Sequence, residues 1–196
     1  MNFTAPEKRE LLKAWSAVTI AFTILFTGLS SLFTFTTLNI LLISATTAGL
    51  GFLLHEIAHK YLATRYHCRA EFHTNNRMLL FMILISFFGF IFAAPGAVSI
   101  QGRLTTAQHG RISLAGPATN ILLSLLFLAI HAFTSGTIAA AATYGATINA
   151  WLGLFNMLPF WNLDGASVFT WNKPLAVTTL ILAAFLTFAA TSLRYY

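Results

Sequence analysis

Acidic residues are scarce in this chain. Asp and Glu together number five among 196 residues, and Asp164 is the only aspartate. Charged residues of both signs make up 8%, against about 25% in ordinary soluble domains, which excludes a conventional water-soluble domain. Cysteine is almost missing: Cys68 alone allows neither an internal disulfide nor the paired thiolates of a zinc ribbon. There is no G-x-S-x-G sequence, which disfavours a serine hydrolase site, and there is no internal repeat or low-complexity tract. The formal charge of +6 comes from basic residues in short segments that flank apolar runs. That distribution marks cytoplasmic membrane loops or contacts with anionic headgroups, so no nucleic-acid partner is expected.

What is present is apolar. Hydrophobic residues make up 57%, concentrated in blocks near the 20 or so residues a membrane helix needs. Residues 1–13, with Lys8, Arg9 and Lys13, read as a cytoplasmic lead. Spans are expected at about 14–33, 38–63, 112–133, 138–158 and 175–193. The first has no clear cleavage site and reads as an uncleaved helix. Lys60, Arg65, Arg69 and Arg77 put the end of the second span on the cytoplasmic side, with the N-terminus.

The stretch 78–100 is apolar enough to cross, but Gly89, Pro95 and Gly96 interrupt it and Ala97-Val98-Ser99-Ile100 looks like a strand. A full crossing would leave Arg103 and Arg111 outside, against the charge bias, so a re-entrant segment is favoured over an additional span. The expectation is an all-α polytopic protein of five to six transmembrane helices in one domain, in the cell membrane, with a re-entrant or β-like segment near 78–100.

Within the second apolar run stands His55-Glu56-Ile57-Ala58-His59. Polar groups at such depth are costly unless something binds them. His55 and His59, one helical turn apart, project from one face and can share a metal ion, with Glu56 at the edge of that face. A proton relay or polar contacts between helices would be the bland alternatives. A catalytic zinc takes three protein ligands and keeps one position open. Candidates for the third are Asp164, Glu71, His73, His67, Cys68, His109 and His131. Glu71, His73, His67 and Cys68 sit in a basic segment that reads as solvated, His109 in a polar loop, and His131 toward the far membrane face. Asp164 lies at the cytoplasmic end of its span, near the depth of the two histidines, although a helix cap would also explain it.

The His55–His59 motif, Ala115-Gly116-Pro117-Ala118-Thr119-Asn120 and Asn156-Met157-Leu158-Pro159-Phe160-Trp161-Asn162-Leu163-Asp164-Gly165 occur in that order. Together they resemble the site-2 protease family of intramembrane zinc metalloproteases, in a minimal form without an inserted soluble domain. The resemblance covers His55 to Gly165. It implies that His55, His59 and Asp164 hold one zinc ion per chain, that Glu56 activates water, and that Asn156 lies near the zinc and helps hold substrate or oxyanion. It also implies that residues 115–120 pack beside the site and that the substrate is a helix of another membrane protein. The alternatives are a catalytically silent zinc-binding scaffold or a metal transporter. The oligomeric state is left open.

Overall fold

A computed structural model describes residues 1–28, 31–32, 34–91 and 95–193. The first helix, α1, runs Ala5–Thr27. Thr4 caps it by accepting the Glu7 N–H at 3.3 Å, with proline in the first turn, and Gly28 ends it with φ at +64°. The helix thus begins within the expected cytoplasmic lead and stops short of residue 33. Phe35–Arg65 follows as one rod of 31 residues, made of α2 (Phe35–Ser44), a π-helical turn (Ala45–Gly49) and α3 (Leu50–Arg65). A π turn frees backbone groups, and here the Trp15 indole of α1 donates to the Ala45 carbonyl at 3.2 Å. Gly49 makes room for that ring: a Cβ there would lie 2.6 Å from Trp15 Nε1.

The chain then forms β1 (Arg69–Thr74), α4 (Asn76–Ser86) and β2 (Gly96–Gln101). The two strands pair antiparallel, Arg69 opposite Gln101 and Thr74 opposite Gly96. α4 has 11 residues and so spans about 16 Å, half of a hydrocarbon core of about 30 Å. The segment between the strands leaves Thr74 and returns beside it. It holds no full-length crossing helix among the described residues. Residues 92–94, part of the expected re-entrant stretch, lie outside them.

Three longer helices complete the body: α5 (Thr106–Ala132), α6 (Gly136–Asn156) and α8 (Lys173–Ser192), with the short α7 (Asp164–Trp171) between the last two. A capping box of Thr105 and Gln108 starts α5. α5 sits at the centre, against α3, α6, α7 and α8. Ser124 of α5 donates to the Ala146 carbonyl of α6 at 2.9 Å, a polar tie between helices. Phe22, Phe52, Phe72 and Met82 join α1, α3, β1 and α4 in one apolar core. Phe35, Leu122, Phe185 and Phe188 point outward instead, as side chains facing lipid do.

Among the described residues, five helices are long and apolar enough to cross a membrane. With the two-stranded sheet, they give the helical membrane fold with a β-like segment that the composition and the stretch near 78–100 imply.

Because Arg69 and Arg103 flank the same end of one hairpin, single cysteines at these positions in a Cys68→Ser background are expected to react with a membrane-impermeant thiol reagent from one and the same face. Labelling of the two positions from opposite faces would contradict the hairpin.

Candidate metal centre

α3 presents His55 and His59 on one face, both buried, their rings at 80° and 4.7 Å between centroids. Their Nε2 atoms lie 3.0 Å apart. Asp164 opens α7, where the N-terminal dipole favours a carboxylate, and its Oδ2 lies 3.3 Å from each Nε2. Gly165 lets this turn press onto the end of α6, since a Cβ there would lie 2.1 Å from the Met157 carbonyl oxygen.

The other ring nitrogens are fixed by α5. His59 Nδ1–H donates to the Ile112 carbonyl at 2.7 Å. His55 Nδ1–H donates to Asn120 Oδ1 at 2.6 Å. The Asn120 amide is itself oriented, giving its N–H groups to Asn149 Oδ1 at 2.9 Å and to the Gly51 carbonyl at 3.3 Å. Asn149 in turn donates to the Gly145 carbonyl at 2.9 Å. With both Nδ1 atoms donating, both neutral rings present an Nε2 lone pair to the same point.

Two lone pairs and a carboxylate facing each other repel unless a cation sits among them. Zinc bonds of about 2.0–2.2 Å at tetrahedral angles separate donor atoms by about 3.3 Å. The observed 3.0 and 3.3 Å match. Gly116 keeps the space open: a Cβ there would lie 2.4 Å from His59 Nε2 and 2.5 Å from His55 Nε2. Glu56 is 6% exposed and its Oε2 has no hydrogen-bond partner. A buried carboxylate oxygen left free beside three convergent donors fits a site built for a metal and a polar guest.

The cluster opens into a cavity of about 370 Å³. His55, Glu56, His59 and Asp164 form one wall, Gly96, Ala97, Val98 and Ile100 of β2 another, and Asn156 and Trp161 an end. The Val98 backbone N–H approaches the Glu56 carboxylate. Asn156 reaches this wall, but its amide donates to Leu152 of its own helix at 3.0 Å and not to the cluster.

Among the described residues, His55, His59 and Asp164 are the grouping able to hold an ion. Glu71 and His73 instead line a polar recess on the hairpin's outer face, and His131 bonds Thr143 at 3.0 Å. His109 lines the cavity wall, and neither it nor His67 or Cys68 joins the three donors. Asn149, which holds the amide that holds His55, carries no motif. Its one sequence signal is an asparagine inside an apolar helix, where an amide needs a partner.

Fold and site together define a helical membrane protein in which two buried histidines and a half-buried aspartate converge as a group able to hold a metal ion, beside a buried glutamate with one unpartnered oxygen. The candidate zinc metalloprotease MJ0611 of Methanocaldococcus jannaschii is 36% identical over 159 residues, covering 78% of this chain and 83% of that one. The candidate zinc metalloprotease Rip3 of Mycobacterium tuberculosis is 31% identical over 130 residues, 62% of this chain. The zinc metalloprotease MJ0392 of M. jannaschii is 25% identical over 118 residues, 59% of this chain. The chain spans only 29% of the length of Rip3 and 30% of that of MJ0392. No family model matches the chain, and no solved structure does. This chain belongs to the site-2 protease family of zinc metalloproteases.

Two substitutions separate space from orientation. Gly116→Ala puts a methyl group where the two Nε2 atoms meet and should abolish zinc binding. Asn120→Ala removes the acceptor that orients His55 and should weaken zinc by about 10–100-fold, as loss of such outer hydrogen bonds does. Zinc titration of the purified proteins in detergent measures both, and wild-type affinity in Gly116→Ala would refute this geometry.

Proposed function

We propose that this chain is an intramembrane zinc endopeptidase that cleaves transmembrane segments of other membrane proteins. The observation that carries the reading is the unpartnered Glu56 oxygen in the same cavity as the three convergent donors. His55, His59 and Asp164 would hold one zinc ion. When bound, zinc acidifies water and polarises a carbonyl, which is the chemistry that peptide hydrolysis requires.

The rest is work for the chain's own groups. Glu56, buried and with one oxygen unpartnered, accepts the proton of the attacking water and returns it to the departing amine nitrogen as the peptide C–N bond breaks. The acceptors at Asn120 and Ile112 keep both imidazoles turned toward the cluster throughout. Asn156, at the cavity's end, can offer an amide to the substrate or to the oxygen that gains charge once its bond to Leu152 is exchanged.

A membrane helix shields its own amides, so the segment to be cut must first unwind. The cavity-facing edge of β2 offers backbone groups to an extended segment by strand addition. An N-terminus on the cytoplasmic side would open this cavity toward the basic segment around Lys60 and Arg65.

Glu56→Gln tests the mechanism. It should keep stoichiometric zinc and thermal stability while cleavage of a transmembrane model peptide falls by at least about 10²–10⁴-fold, the range usual for loss of a general base. Cleavage near the wild-type rate would remove Glu56 as the base. A wild type that binds zinc and cleaves no membrane peptide would favour a silent zinc scaffold.

A further inference from the structure

Glu7 and Glu10 stand in the charged leading stretch of the sequence, and the structure ties both to β1. Glu7 is 3% exposed, and the Lys60 ammonium, 2% exposed, contacts both of its oxygens at 2.6 and 2.5 Å. The Phe3 ring lies 4.5 Å from the same ammonium. Glu7 Oε1 also accepts the backbone N–H of Phe72 at 3.0 Å. One turn along α1, Glu10 Oε2 accepts the Thr74 N–H at 3.2 Å and the Thr74 hydroxyl, while Lys13 holds its other oxygen at 2.9 Å. Two carboxylates of one helix face therefore take alternate amides of β1.

The register shows what this does. Phe72 lies opposite Val98, and Thr74 opposite Gly96. Residues opposed in an antiparallel pair alternate between exchanging hydrogen bonds and turning them outward. Phe72 and Thr74 give their N–H groups to α1, so theirs are the outward pairs. Val98 and Gly96 accordingly turn their own N–H and C=O groups away from β1, and both line the catalytic cavity. The approach of the Val98 N–H to Glu56 agrees with this parity. An edge strand invites any extended chain. On this hairpin one edge is filled by carboxylates and the other faces the metal.

We propose that Glu7 and Glu10 are positioning residues for proteolysis: by occupying the outer edge of β1 they leave β2 as the place where extended substrate backbone can pair, in one register beside Glu56. Lys60 balances the buried charge of Glu7; the acceptor that the Phe72 N–H meets belongs to Glu7. The proposal rests on the protease reading above and adds to it the control of where the substrate is cut.

Two double variants of the full chain test it. Glu7→Leu/Lys60→Met and Glu7→Gln/Lys60→Met both remove the buried ion pair without stranding a charge, and only the second retains an acceptor for the Phe72 N–H. Zinc content, amide hydrogen exchange over residues 69–74, kinetics on a transmembrane peptide and mass-spectrometric mapping of its cut site are measured for both. The Gln/Met protein should match wild type in exchange, in KM and in cut site. The Leu/Met protein should bind zinc normally, exchange faster at β1, lose about 10–100-fold in kcat/KM mainly through KM, as misplacement of substrate does, and cut at additional bonds. Indistinguishable behaviour of the two variants, whether both intact or both equally impaired, overturns the proposal. The protease reading is judged separately, by whether wild type cleaves at all.

Discussion

The close approach of α3 and α5 is the constraint on which the rest depends. Two imidazoles and the Glu56 carboxylate are buried, with Asp164 half-buried beside them, in a largely apolar body where an unsatisfied polar group costs several kcal/mol. Gly116 allows the approach, because any side chain there would occupy the point where the histidine nitrogens converge. Once the helices are that close, Ile112 and Asn120 of α5 take the Nδ1 protons and turn both Nε2 atoms toward Asp164. Ligand geometry, tautomer and open space follow from one helix contact.

That contact is anchored from behind. Asn120 depends on Asn149, and Asn149 on a carbonyl of its own helix, so α6 takes part in setting the orientation of a ring on α3. α7 closes the third side, delivering Asp164 by a turn that only glycine at 165 lets press onto α6. Each of these supports comes from a different element. The cluster is therefore held by the packing of the whole bundle, which is the arrangement that keeps reactive groups within narrow tolerances.

The hairpin stands on the opposite side of the cavity and is fixed by other means. Its inner face packs Phe72 into the core shared with α1 and α3, and its outer amides on β1 meet the carboxylates of α1. A two-stranded sheet alone is marginal. Here it gains a third layer of hydrogen-bond partners from a helix. The buried Lys60–Glu7 pair links the metal helix, the first helix and the strand at a single point.

Much of this was legible in the chain itself. Scarce charge and long apolar blocks fixed the class, because water is the only solvent that demands a charged surface. His55, Glu56 and His59 were legible because the helical period alone puts the two rings on one face. The interrupted stretch near 78–100 announced an irregular segment through Gly89, Pro95 and Gly96. Convergence of Asp164 with the histidines, across more than a hundred residues of sequence, depended on how α7 meets α6 and α3. So did the parts played by the Ile112 carbonyl, Asn149 and Glu7. A carbonyl has no sequence signature, and a glutamate in a charged leading segment shows no partner until a strand is laid beside it. Local sequence determines which groups share a face of one element. Only tertiary packing decides which faces meet, because that depends on contacts summed over the whole molecule.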